Sequence, residues 1–321
     1  MKLSKVVLAF QQDCSCVAQE THSLLIRRGV DIVDCPAIAE DTTQFIVTAA
    51  DMVSGGIADG AIVIGSSGIE GAILGNKFKN VRAALVPTAT TAMYTREHND
   101  SNLLSIGADL IGNQKILDIV DTWLSHDFIG GRHAISIGMI QDCESIQFVP
   151  DKVVEVRTSR KPVKHVFIGN DHAGYEAKLN VLKILEKGGV TYTDIGTNST
   201  DIVRYPYYAA RINHAVLTGA ADAGIAICGT GIGISIAANK FKGIRASLCF
   251  DRTSARIARE RFDANVLCLG GKITGVFELE EIVEQWLTTP YEGAGDAFLS
   301  TLASVEAENM GFTQWKPDSN V

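Results

Sequence analysis

Residues 59–86, DGAIVIGSSGIEGAILGNKFKNVRAALV, and residues 222–249, DAGIAICGTGIGISIAANKFKGIRASLC, are two copies of one segment, identical at 13 of 28 positions without a gap. Self-similarity at so long a period points to duplicated domains rather than solenoid repeats. The offset of 163 persists through Asn76/Asn239, Lys77/Lys240, Arg82/Arg245, Asp100/Asp263, Asn102/Asn265, Gly107/Gly270, Trp123/Trp286 and Gly130/Gly293. Nearer the two starts it falls to 158: LAFQQDCSC (8–16) lies over FIGNDHAG (167–174) with Asp13 on Asp171, which places five extra residues before the second copy's third strand. The expected organisation is a domain over 1–142, a connector over 143–163 and a second domain over 164–321. The copies differ most at GSSGIE (65–70) against CGTGIG (228–233), where chemistry would sit.

With 321 residues, 46% of them hydrophobic, the chain can bury two ordinary cores. A net charge of −8 without a Lys/Arg run argues against nucleic acid or an anionic membrane surface as partner. No apolar run has transmembrane length and MKLSKVVLAFQQD lacks a signal-peptide cleavage pattern, so a cytoplasmic protein is expected. The seven cysteines include no C-x-x-C pair and no zinc-finger spacing; reduced thiols are expected.

In the second half, short β-branched runs (165–169, 190–196, 223–228, 243–249, 265–270) alternate with helical patterns (174–188, 203–218, 232–240, 252–262, 274–288). The first half follows the same order, with strands near 5–10, 30–34, 60–65, 82–86 and 103–106. Such alternation means parallel strands joined by crossover helices, hence two doubly wound α/β sandwiches with five parallel strands each. A capping helix is expected near 300, before a polar tail.

In such a sheet, ligands bind beyond the carboxyl ends of the strands, against helix N-termini. CGTGIGIS (228–235) sits at a strand-to-helix turn where small residues let backbone N–H groups approach an anion. It is neither a Walker A loop nor a G-x-G-x-x-G dinucleotide turn. Cys228 at that turn is readable as a buried small hydrophobe or as a thiol activated by the helix terminus. Asp171-His172, at the end of the first strand of the same half, falls in the same crevice.

Taken together, GNDHAGYEAK (169–178), YPYYA (205–209), CGTGIGISIAANKFKGIRA (228–246) and NVLCLGGKITG (265–275) resemble the ribose-5-phosphate isomerase type B and galactose-6-phosphate isomerase family. The first half is a weaker relative that carries REHNDSN (96–102) and FIGGRH (128–133). The resemblance implies a Rossmann-like five-stranded fold, aldose–ketose interconversion of sugar phosphates without metal or nucleotide, and active sites between two subunits. It implies that Cys228 shuttles a proton between C1 and C2 through an enediolate, stabilised by Thr230 and the N–H groups of Gly229, Gly231 and Gly233. Asp171 and Tyr205 fall where the family holds sugar hydroxyls, His172 near the phosphate, and Lys272 where relatives carry a cationic phosphate ligand.

The family's ring-opening His-Asn pair and its phosphate-gripping cation match His98-Asn99 and Arg132, all in the first half. In the second half those positions read Arg261-Phe262 and, for Gly-Gly-Arg-His, Gly293-Ala294-Gly295-Asp296. Conversely, the first half has Gly65 for the cysteine, Ser67 for the threonine, Asp109 for Lys272 and, at the 158 offset, Cys14 for the histidine. The losses are complementary, so the chain resembles a covalent pseudo-heterodimer, forming its pseudo-dimer within the chain or in a homo-oligomer. The opposite crevice, with Glu70 in its anion turn, is expected to be dead.

Departures bear on the substrate. Arg204-Tyr205-Pro206 stands where many relatives have Asp-Tyr-Pro, a second phosphate-side Arg is Ser136, and the loop around 197–203 is unremarkable. Arg204 reads as a replacement cation or as a solvated loop charge. Ribose 5-phosphate is the expected substrate, ahead of galactose or allose 6-phosphates and a tetrose phosphate. A regulatory protein that binds sugar phosphate without turnover is the rival from another class, and binding alone would not require Cys228, Thr230 and His98 together. A nucleotide-binding dehydrogenase fails on motif spacing.

Overall fold

A computed structural model describes residues 3–35, 43–145 and 162–310. The chain divides into two compact units, 1–137 and 138–321. The first half runs β1 (Lys5–Phe10), α1 (Ser15–Arg27), β2 (Asp31–Val33), α2 (Gln44–Ser54), β3 (Gly60–Gly65), α3 (Ile69–Gly75), β4 (Ala83–Leu85), α4 (Ala89–Asn99), β5 (Leu103–Gly107), α5 (Asn113–Ser125) and α6 (Arg132–Ser145). The second runs β6 (His165–Asn170), α7 (Tyr175–Lys187), β7 (Thr191–Asp194), α8 (Tyr205–Leu217), β8 (Ala223–Cys228), α9 (Ile232–Asn239), β9 (Ala246–Leu248), α10 (Arg252–Phe262), β10 (Val266–Gly270), α11 (Val276–Thr288) and α12 (Asp296–Asn309). The expected connector begins inside α6, and its residues 146–161, like the polar tail 311–321, lie outside the described residues.

Each half builds a five-stranded parallel sheet, ordered β2-β1-β3-β5-β4 and β7-β6-β8-β10-β9. These are the two tandem Rossmann-like α/β domains expected from the sequence. The central strands β3, β5, β8 and β10 are buried along their whole length, which is why they read as continuous apolar runs rather than alternating ones. From β1 the chain crosses one way to β2 and the other way to β3, and likewise from β6 to β7 and β8. That reversal opens a crevice at the strand ends.

The residues shared by both halves form a polar clasp near the opposite ends of the strands. Asn76 and Asn239 each bridge a helix end to a strand, donating to the carbonyls of Ala83 and Ala246 at 2.7 Å and accepting from the same residues' N–H at 2.9 Å. Arg82 and Arg245 each reach the following helix's C-cap, Asp100 or Asp263, at 2.8 Å. Both caps are left-handed, with φ of 45° and 44°. Arg96 and Arg259, both buried, lie over the Trp123 and Trp286 rings and donate to the carbonyls of Ser101 and Ala264.

One detail breaks this symmetry. Trp123 Nε1 donates to Ser101 Oγ at 2.9 Å, whereas the position equivalent to Ser101 is Ala264 and the buried Trp286 indole nitrogen has no acceptor among the described residues. Restoring the hydroxyl with Ala264→Ser is expected to stabilise the protein by about 1 kcal/mol. Chemical denaturation of the two proteins side by side checks this.

The register of the two N-terminal parts differs from expectation. Gln11 N donates to Ile64 O, and Asp171 N donates to Ile227 O. Helices α1 and α7, 13 residues each, begin at Ser15 and Tyr175. The offset there is therefore 160, not 158: Gln11 stands at Asp171's position and Gln12 at His172's. The alignment of Asp13 with Asp171 and of Cys14 with His172 is corrected accordingly. Because the offset rises from 160 to 163, three extra residues, not five, fall between β7 and α8.

Candidate functional site

In the second half, β8 delivers Cys228 to the crevice and the chain turns at once into α9. Gly231 caps that helix at φ 75°, a conformation that strains any residue with a Cβ, and a Cβ there would also press on the backbone of Leu269 and Gly270. The Thr230 hydroxyl accepts from Ile232 N at 3.3 Å. The adjoining turn after β10 is tied on by Gly271 N to Cys228 O (2.8 Å) and Lys272 N to Gly229 O (2.9 Å), which seats the exposed Lys272 beside the anion turn. Gly229, Gly231 and Gly233 thus share one turn with Cys228 and Thr230, as the sequence indicated.

Cys228 is 4% exposed, and burial pushes its thiol up to about 12, with the Asp171 charge acting the same way. The backbone N–H groups of Ile234, Gly231 and Thr230 act the other way and favour the thiolate, so the turn suits a negative charge.

Asp171 leaves β6 next to this turn. Its carboxylate accepts from Ala173 N (2.9 Å) and Gly174 N (3.2 Å), and burial raises it to about 6 against the pull of His172 and those N–H groups. Because its folded pKa exceeds the ordinary 3.8, the linked stability is fully present below about pH 4 and is lost as the pH rises through 6. Asp171→Asn keeps an acceptor for both N–H groups and removes the buried charge. The variant is expected to resist denaturation better than the parent by about 2 kcal/mol at pH 8, with the advantage gone by pH 4. Urea unfolding at the two pH values checks it.

His172, half-buried, meets the backbone of Val203 through Nδ1 (3.2 Å to the carbonyl oxygen), and Arg204 and Tyr205 follow directly at the start of α8. A residue the sequence reading passed over also belongs here. Tyr208 is buried, and burial and the Asp171 charge push its phenol up while the nearby Thr197 side chain opposes them. Its signal was the third tyrosine of YPYYA, in register one helical turn after Tyr205.

In the first half, α4 carries His98 and Asn99 at its C-terminal end, held by Arg96 through Ser101 O (2.6 Å) and His126 O (3.3 Å). His98 stacks on His133 with ring centroids 4.2 Å apart and on Tyr94 at 5.2 Å. Asn99 is buried, and the exposed Arg132 opens α6 beside His133. Burial lowers the His98 pKa, Glu97 opposes and the Arg132 charge reinforces the fall, so the imidazole is neutral at pH 7 and can give or take a proton. His133 stood in the Gly-Gly-Arg-His motif, but its role as the ring packed on His98 was not legible.

The first half's own anion turn is filled from within. Glu70, buried, accepts from the Ser67 hydroxyl and from Gly68 N (3.3 Å), and Ser66 N is taken by Gln11 Oε1 (3.3 Å). A Cβ at Gly65 would overlap Glu70 Oε1. Since Gly65 and Gly68 are the equivalents of Cys228 and Gly231, this carboxylate occupies the seat that the sulfur has in the other half.

The family model described as Ribose/Galactose Isomerase matches twice, over residues 7–140 and 166–298. Ribose-5-phosphate isomerase B of Escherichia coli is 44% identical over 131 residues, 41% of this chain and 88% of that protein. D-erythrulose-4-phosphate isomerase of Pectobacterium atrosepticum is 39% identical over 133 residues, again 41% of this chain and 88% of that protein. Among solved structures, ribose-5-phosphate isomerase B of Clostridium thermocellum is similar at 39% identity and a TM-score of 0.43, covering 45% of this chain and 98% of its own. Among the described residues no helix is long and apolar enough to cross a membrane, and no cluster of three or more His, Cys, Asp or Glu is placed to hold a metal ion.

Proposed function

The chain belongs to the ribose/galactose isomerase family, with two family domains in tandem and sugar-phosphate isomerisation as its class of reaction, and from that premise we propose that it interconverts ribose 5-phosphate and ribulose 5-phosphate. His98, neutral and stacked on His133, opens the sugar ring by proton transfer. The thiolate form of Cys228 takes the C2 proton of the open aldose, the C–H electron pair forms the C1=C2 bond and the carbonyl pair moves to O1 to give the enediolate; the O2 hydroxyl proton then passes to O1 and the sulfur returns its proton to C1, leaving the carbonyl at C2. Thr230 and the N–H groups of Gly229, Gly231 and Gly233 bind the enediolate oxygen. Asp171 and Tyr205 hold sugar hydroxyls, and His172, Arg132, Lys272 and Arg204, with Asn99 beside His98, orient the ring and its phosphate. No metal, nucleotide or other cofactor has a part in this scheme.

The observation that carries the proposal is Cys228 at the end of β8, opening directly into the glycine-rich turn before α9 beside Asp171, where the backbone favours its thiolate. The ring-opening set and the proton-transfer set lie in different halves, so one turnover draws on both. A tetrose phosphate is the second reading, favoured by the similarity to the erythrulose-4-phosphate enzyme. An assay against tetrose, pentose and hexose phosphates, run beside Cys228→Ser, decides between them. Sugar-phosphate binding with no turnover of any member would replace the enzyme by a sensor.

A further inference from the structure

The segment between β7 and α8 looked unremarkable in sequence, yet a buried lysine holds it. Lys178, on α7, has no exposed surface. Its ammonium spends its three donors on Asp194 (2.8 Å), the Thr197 carbonyl (2.9 Å) and the Asn198 side-chain oxygen (3.0 Å), with the Tyr175 ring 5.6 Å away. A lysine enters a protein interior only when each donor is matched, because burying an unpaired charge is costly.

Thr197 is the hub of the clasp. Its carbonyl also accepts from Asn170 Nδ2 (3.4 Å), its N–H donates to Asn170 O (3.3 Å), and its side chain is near enough to act on the Tyr208 phenol, which also lies within the field of Asp171. Beyond Thr197 the chain passes Ser199 and Asp201 and reaches Val203, whose backbone meets His172. Arg204 and Tyr205 come next. One ammonium thereby fixes the start of the stretch that carries or contacts four groups of the crevice.

We infer that Lys178 is a positioning residue, which sets His172, Tyr205 and Tyr208 against the substrate by clamping the β7–α8 loop from behind. The fold itself does not call for it. At the 160 offset its equivalent is Ala18, buried in a helix of the same length packed on the same kind of sheet. The lysine stands in the half that holds the cysteine, together with the three extra loop residues. The inference rests on the isomerase reading for its kinetic test, and a second readout frees it from that dependence.

Lys178→Met keeps the length of the side chain and removes the charge. It is expected to raise KM for the sugar phosphate tenfold or more with kcat within about threefold, and to shift the His172 imidazole signals in NMR spectra recorded without substrate. Asn198→Ala, at an exposed position, removes one of the three acceptors; it is expected to move KM and the His172 signals in the same direction by a smaller factor, and carries the test where Lys178→Met fails to fold. A lower Tm with unchanged KM and unchanged His172 signals in the folded variants would show a purely structural lysine and overturn the inference. If the parent protein turns over no sugar phosphate, the isomerase reading fails, while the His172 signals still decide whether the clamp acts.

Discussion

Cys228→Ser is expected to lower kcat at least about a thousandfold while the protein keeps its Tm within a few degrees. Serine matches cysteine in shape, so the buried turn around residue 228 needs no repacking. The chemistry fares differently. The backbone of the turn favours an anion at this position, but an alkoxide lies several pK units beyond a thiolate, and general-base catalysis supplies roughly 10² to 10⁴ in rate. Steady-state assays and thermal melts on one preparation check both parts. A variant with more than a tenth of parental activity would remove Cys228 from the reaction.

His98→Ala is expected to cost about a hundredfold in kcat/KM, the lower end of the range for a positioned proton donor. The forward and reverse reactions should lose by the same factor, since a catalyst cannot move the equilibrium between the two sugars. Measuring both directions separates loss of catalysis from an assay artefact. The fold should survive, because the helix end is anchored by Arg96 and the left-handed cap at Asp100 rather than by the imidazole. Retention of full activity would confine the chemistry to the second half and end the proposal that the halves divide it.

Much of this protein is legible in its sequence, and the reasons differ from part to part. The strands β3, β5, β8 and β10 read clearly because full burial leaves them uninterrupted apolar residues between helical patterns. The turn that carries Cys228 is legible as a strand-to-helix junction rich in small residues, whereas the role expected of its thiol comes from the family resemblance and not from the local sequence.

The register of the first strands was misread for a physical reason. Matching Asp13 to Asp171 paired like with like, whereas equivalence is fixed by backbone bonds, Gln11 N to Ile64 O and Asp171 N to Ile227 O, which leave no mark in side-chain chemistry. Tyr208 and Lys178 were missed for a related reason. Each acts through a loop whose path depends on bonds to Thr197, and a loop's path is not written in periodicity. The stacking of His133 on His98 joins two helices far apart in sequence, so no spacing rule could have exposed it.

Glu70 has a consequence for the history of the chain. To recover proton-transfer chemistry in its first half, the lineage would need a cysteine at 65 and loss of the glutamate at 70 together. The cysteine alone meets a carboxylate already in its place, and removing the glutamate alone leaves Ser67 and the Gly68 N–H without their acceptor and gains no nucleophile. Each single step back is worse than standing still. The turn works as a ratchet, and the division of labour between the two halves, once begun, had no easy path of return.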